Sequence, residues 1–200
     1  MIGSKRLYKI CYCITVPFVS LKYRIKTFGR EKISNGVAIV CGNHSSNIDP
    51  VLMAYAFTRK THIHFMAKAE LFKIPLLGRI LKAIGTFPVD RGQSDVNAIK
   101  TAMKFLKDGE KVAMFPEGTR IQDESNTEAK TGAVILAVRT NVPVVPVYIA
   151  RDKKKAGRIP VVIGEPYYIE LDKKTAKHED YKKETIRLME KINGLRAVAK

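Results

Sequence analysis

His44 and Asp49 stand in the run Cys41-Gly-Asn-His-Ser-Ser-Asn-Ile-Asp-Pro50, five residues apart. Side chains that meet on one helix face are three or four apart, so only a turn can bring this pair together. If it does, the carboxylate fixes the imidazole tautomer and raises its basicity, which is what a general base needs. Taken alone, the pair reads more simply as a loop histidine beside a helix-capping aspartate, with Pro50 at the first helical position. A second cluster, Phe115-Pro-Glu-Gly-Thr-Arg120, directly follows an apolar run. There Gly118 permits a tight turn, Thr119 offers a hydroxyl, and Arg120 supplies a planar fork suited to phosphate. Gly85-Thr-Phe-Pro-Val-Asp-Arg91 likewise ends an apolar run in an arginine. Ser45 and Ser46 are not in a Gly-x-Ser-x-Gly elbow and are set aside as nucleophiles. His62 and His64, two apart in an alternating run, face the same side and fit a metal pair or, more simply, ordinary packing.

Strand ends must position these residues. Gly36–Cys41, Thr86–Val89, Lys111–Phe115, Val142–Ile149 and Ile159–Ile163 read as short, largely apolar strands, and His62–Met66 reads as a strand from its alternation. Between them, 50–60, 76–84, 95–107 and 132–140 carry helical spacing, and a charged helix with apolar Ile186, Met189 and Ile192 follows from Lys173. The alternation implies an α/β fold with a layered sheet and flanking helices, whose strand ends gather ligands. No internal repeat, low-complexity stretch or linker divides the chain, so residues 31–200 are expected to form one domain.

The chain has 200 residues, with 36 Lys+Arg against 19 Asp+Glu and a formal charge of +17. Such a surface attracts polyanions: anionic lipid, nucleic acid or an acidic carrier protein. No nucleic-acid-binding motif is recognisable, which disfavours a basic nucleic-acid-binding domain. Three unpaired cysteines give neither a disulfide framework nor a zinc pattern, and Cys41, inside Val-Ala-Ile-Val-Cys, reads as a small core residue. Residues 1–30 contain no acidic residue, and the uncharged stretch Ile10–Leu21 is interrupted by Pro17 and flanked by lysines. It is too short to span a bilayer and lacks a small-x-small cleavage site after it. The expectation is an interfacial membrane segment, apolar on one side and held by basic flanks to anionic headgroups. The run Arg151-Asp-Lys-Lys-Lys-Ala-Gly-Arg158 reads as a solvated loop or a contact to lipid or to acidic acyl carrier protein.

Together, Asn43-His44-Ser-Ser-Asn-Ile-Asp49, Gly85–Arg91, Phe115–Arg120 and the proline-bearing Val142–Val147, in this order, resemble the four motifs of the glycerolipid acyltransferase family, and within it the bacterial 1-acyl-sn-glycerol-3-phosphate acyltransferases. Lys68 and Lys130-Thr-Gly132 also fall where that family carries a lysine near the acceptor phosphate and F-K-x-G, while Ile121 and Ala129 replace a common serine and phenylalanine. The resemblance implies a reaction, acyl transfer from an acyl carrier protein or coenzyme A thioester to the sn-2 hydroxyl of lysophosphatidate, giving phosphatidate. It implies His44 as base, Asp49 as its orienter, and Lys68, Arg91, Glu117, Gly118, Thr119 and Arg120 around the acceptor. It implies no cofactor and no metal, a peripheral place on the cytoplasmic face of the cell membrane, and no nucleic-acid partner. Another lysophospholipid or glycerol 3-phosphate is the alternative acceptor.

Overall fold

Short β-branched runs cannot cover their own backbone polar groups, and along this chain they pair into one sheet whose faces are covered by the intervening helices. The computed structural model describes residues 3–90, 95–121, 129–153 and 157–199. The strands are β1 (Arg24–Phe28), β2 (Ala38–Gly42), β3 (Ile63–Lys68), β4 (Phe87–Val89), β5 (Lys111–Met114), β6 (Val144–Ile149) and β7 (Arg158–Ile163). Their order across the sheet is β1-β7-β6-β2-β5-β3-β4. From β6 to β4 every neighbouring pair is parallel. β7 runs antiparallel to β6, and β1 runs parallel to β7. All the carboxyl ends of β2 to β6 therefore lie on one edge of the sheet.

The central strand β2 shows how the faces are filled. Side chains alternate across a strand, so Ala38 and Val40 pack against Leu52, Met53, Ala56 and Phe57 of α2 (Asp49–Phe57). Ile39 and Cys41 pack on the other side, with α4 (Val96–Lys107), α5 (Gly132–Thr140) and α6 (His178–Gly194). Cys41 is a fully buried core residue, as its apolar run suggests. The layered α/β arrangement expected from the alternating pattern is present. Helix α2 ends earlier than its spacing suggests, because Thr58 takes a φ of +67° and breaks the helical path. α6 starts later than Lys173, where the Asp180 carboxylate accepts from the Lys177 amide at 2.9 Å and fixes the first turn.

Two features of the amino-terminal region differ from its sequence pattern. Residues Arg24–Phe28, within the segment expected at the membrane interface, form β1 and pair in register with β7, from Arg24↔Arg158 to Phe28↔Val162. α1 (Lys5–Lys22) runs through Pro17 without stopping. Its start is capped by Ser4, whose hydroxyl accepts from the Leu7 amide at 3.3 Å and whose own amide donates to the Ala83 carbonyl at the end of α3 (Pro75–Ala83). That start lies at the amino-end edge of the parallel strands. Its finish leads through Tyr23 into β1, which enters the sheet from the opposite, carboxyl-end edge. α1 thus connects the two edges over a length of about 27 Å. Among the described residues, no helix is long and apolar enough to cross a membrane.

Candidate active site

The β2 strand delivers Gly42 and Asn43 to the carboxyl-end edge, and there the chain must turn. Asn43, fully buried, fixes the departure point. Its side-chain amide donates to the Ile149 carbonyl at 2.8 Å and its oxygen accepts from the Ile149 amide at 2.7 Å, tying the ends of β2 and β6. His44 follows, 6% exposed, with its ring stacked on Phe115 at 4.4 Å between centroids. The turn then brings Asp49 back beneath it. His44 Nδ1 lies 3.0 Å from Asp49 Oδ2 in a buried contact. Asp49 is not the capping residue expected of it: Ile48 occupies that position without a side-chain bond, and Asp49 already belongs to the helix. Its carboxylate faces backwards, where Oδ2 accepts from the amides of Ser45 and Ser46, both at 2.7 Å. The tight His-to-Asp loop points these donors inward, where a cap would have used the amides of α2.

An ionised carboxylate only accepts, so the proton of the His44–Asp49 bond sits on Nδ1 and the lone pair of the neutral ring is left on Nε2. That is the tautomer a base requires. Burial alone would push the Asp49 carboxyl up. The hydrogen bond from His44, the Lys153 ammonium and the Ser46 amide outweigh it and hold the group below the ordinary aspartate range. Asp49 is therefore an anion beneath the imidazole at neutral pH.

The Phe115–Arg120 turn supplies the second buried carboxylate. Glu117 Oε2 accepts from the His44 amide at 2.7 Å, while Oε1 pairs with Arg151 Nη2 at 2.5 Å. Glu117 thus braces the backbone of His44 from the neighbouring strand. Gly118 has a φ of +66°, and a Cβ there would lie 3.0 Å from Lys130 Cε, so the turn favours glycine for both conformation and space. Thr119 and Arg120 are exposed on the same edge, and Arg120 Nη1 donates to Asn47 Oδ1 at 2.9 Å. Lys68 ends β3 on that edge too, half-exposed and 3.1 Å from Glu70. Arg91 lies outside the described residues; β4, which precedes it, finishes at Val89 on the carboxyl-end edge.

The sequence reading did not find Arg151 and Lys153. Far from a solvated run, these two residues after β6 enter the site: Lys153 Nζ lies 2.9 Å from Asp49 Oδ1 and 2.5 Å from Ser45 Oγ. Arg151 also donates to the Ile121 carbonyl, and the Ile121 amide returns a 2.8 Å bond to the His44 carbonyl. Each buried carboxylate has its own cation, and both cations come from one loop.

The family model described as Acyltransferase matches residues 24–150. A 1-acyl-sn-glycerol-3-phosphate acyltransferase of Bacillus subtilis (strain 168) is 34% identical over 169 residues, covering 81% of this chain and 83% of that protein. A probable 1-acyl-sn-glycerol-3-phosphate acyltransferase of Mycoplasma genitalium is also 34% identical, over 71% of this chain; the chain spans 55% of that longer relative. Among solved structures, the 1-acyl-sn-glycerophosphate (LPA) acyltransferase PlsC from Thermotoga maritima superposes with a TM-score of 0.66 at 26% identity, covering 97% of this chain and 77% of its own.

Two stability measurements test the charge arrangement. Because the folded Asp49 carboxyl titrates below its unfolded value, its stabilisation is fully present above the unfolded value of about 3.9 and is lost as pH falls through the folded one. Urea unfolding of the wild type should therefore weaken in that acid window, and Asp49→Asn should remove this part of the pH dependence; an identical acid slope in both proteins refutes the assignment. Lys153→Met strands the Asp49 charge without its cation and should cost about 3–5 kcal/mol at neutral pH. A loss below about 1 kcal/mol, the range of exposed pairs, would show that Lys153 is solvated.

Proposed function

The chain belongs to the acyltransferase family, and on that premise we propose that it transfers the acyl group of a coenzyme A or acyl carrier protein thioester to the free sn-2 hydroxyl of 1-acyl-sn-glycerol 3-phosphate, giving phosphatidate. The observation that carries the proposal is the buried 3.0 Å contact between His44 Nδ1 and Asp49 Oδ2, on the strand edge where ligands gather. His44 Nε2 takes the hydroxyl proton as the oxygen attacks the thioester carbonyl. The carbon–sulfur bond then breaks, and the imidazolium returns its proton to the departing thiolate. A thioester is already activated, so a positioned base suffices and the reading calls on no metal or cofactor. Asp49 stabilises the imidazolium. Glu117 and Gly118 hold the loop that carries it. Arg120, Arg91 and Lys68, with Thr119, bind the acceptor's phosphate as cations and a hydroxyl on the same edge.

The acceptor and product are amphiphiles, and the surface suits their delivery. Leu7, Ile10, Ile14, Phe18 and Leu21 recur at three- and four-residue intervals on α1 and are all exposed, with Leu21 88% accessible. Leu71 and Ile74, between β3 and α3, and Leu76 and Leu77, in the first turn of α3, are exposed as well. Phe18 and Leu21 fall in the last turn of α1, close to the edge that carries His44. Lys22, Arg24 and Lys26 follow as cations for anionic headgroups. This arrangement supports peripheral binding to an anionic membrane on its cytoplasmic face, with the active edge turned to the lipid.

An assay of purified protein on anionic vesicles, offering lysophosphatidate with palmitoyl thioesters of both carriers, tests the chemistry. Phosphatidate should form, and His44→Ala should lower the rate roughly 10²–10⁴-fold. Product from glycerol 3-phosphate or another lysophospholipid alone would reassign the acceptor, and an undiminished His44→Ala would remove the base. Membrane attachment has its own readout: sedimentation with phosphatidylglycerol vesicles should fall sharply for the double variant Phe18→Glu, Leu21→Glu, and unchanged binding would place the lipid contact elsewhere.

A further inference from the structure

At the other end of the sheet, His62 and His64 open β3 beside Glu110, the residue before β5. One ligand atom from each of the three can be chosen such that all lie within 4.8 Å of one another. His62 is 8% exposed and His64 is fully buried. His62 Nε2 lies 2.8 Å from the Ile84 carbonyl, and His64 Nδ1 lies 2.9 Å from the Gly85 carbonyl. Carbonyl oxygens only accept, so these nitrogens carry the protons. The lone pairs are thereby left on His62 Nδ1 and His64 Nε2, and both of those buried atoms lack a hydrogen-bond partner among the described residues. A histidine that donates one N–H to a backbone carbonyl and keeps the other nitrogen bare is arranged as metal-ligating histidines are. Packing alone would leave two buried acceptors unsatisfied at a cost to stability.

We propose that His62, His64 and Glu110 form a binding site for a divalent transition metal of the zinc class, on the edge of the sheet opposite the acyl-transfer site. Two imidazoles and one carboxylate suit Zn²⁺, with water completing a four-coordinate shell. The cation would take the place of Lys5, whose ammonium pairs with Glu110 at 2.6 Å while its own side chain is largely exposed and free to swing out. Tyr8 packs on His62 with ring centroids 4.6 Å apart, so the site lies under the first turn of α1. Metal there ties together β3, the approach to β5 and the seat of the amino-terminal helix. The site is structural and is independent of the proposed reaction.

The full-length protein, freed of metal by chelator and dialysis, is titrated with Zn²⁺ in competition with a chromophoric chelator, and with Co²⁺ by visible absorption. Stoichiometric Zn²⁺ binding is expected, with Co²⁺ giving the intense d–d bands of a four-coordinate ion and no thiolate charge-transfer band. Glu110→Gln should weaken binding about tenfold or more. Lys5→Met, which removes the competing ammonium from an exposed side chain, should tighten it. His178→Ala, at an exposed position in the first turn of α6, should bind as the wild type does. The proposal fails if Zn²⁺ does not bind stoichiometrically, if Glu110→Gln and Lys5→Met bind like the wild type, or if Co²⁺ shows thiolate charge transfer from Cys11 or Cys13. Acyl-transfer activity does not enter these readouts, so loss of one reading leaves the other standing.

Discussion

The interaction on which the site depends is the burial of the Asp49 carboxylate. Taking an ion of this size out of water carries an effective penalty of several kcal/mol, and the fold must return it through well-placed donors. Those donors are the amides of Ser45 and Ser46, the His44 ring and the Lys153 ammonium. None of them can be supplied unless the loop after β2 folds tightly onto the first turn of α2 and the loop after β6 folds over both. The carboxylate that bonds the His44 ring is thus also what makes the loop adopt one shape. A second buried carboxylate, Glu117, imposes the same demand on the turn after β5, since it bonds both the His44 amide and Arg151. Three successive strand ends are fastened to a single histidine.

Sheet polarity makes that possible. With β6, β2 and β5 adjacent and parallel, their carboxyl ends deliver Ile149, Asn43 and Phe115 to neighbouring positions. The Asn43 side chain continues the link between β2 and β6 past their last paired residues, bonding both the amide and the carbonyl of Ile149. His44 follows directly, and the Phe115 ring covers one face of its imidazole.

How far this was legible in the sequence depends on the range of the interaction. The strands around β2, β5 and β6 were readable because their apolar runs are buried on both faces, and β3 because its residues alternate. The interval between His44 and Asp49 allowed a turn but alone favoured a loop histidine beside a cap, and only the neighbouring motifs tipped the reading to a pair. β1 was less legible: Arg24-Ile-Lys-Thr-Phe28 alternates as a strand does, yet its cations, which suit a sheet edge, also look like the flank of a membrane segment. The direction of the Asp49 bonds was not legible, since a carboxylate at the head of a helix can serve the amides on either side of it. Arg151 and Lys153 lay furthest from view. Lys153 meets a residue more than a hundred positions earlier, and a cluster of basic residues carries no local mark of the carboxylates it will neutralise.

The two edges of the sheet are joined by α1, and that connection gives the helix a structural role. Its first turn is seated against the end of α3 and against Glu110, and Tyr8 is the buried residue of the helix. Its last turn, by contrast, carries Phe18 and Leu21 into solvent before Tyr23 returns to the core. A helix anchored at one end and apolar at the other has its direction set by the protein and leaves its free face available to a lipid surface. Because β1 begins where α1 finishes and is paired along its length with β7, the exposed end cannot swing far from the sheet. The position of His44 relative to that apolar end is therefore a property of the fold.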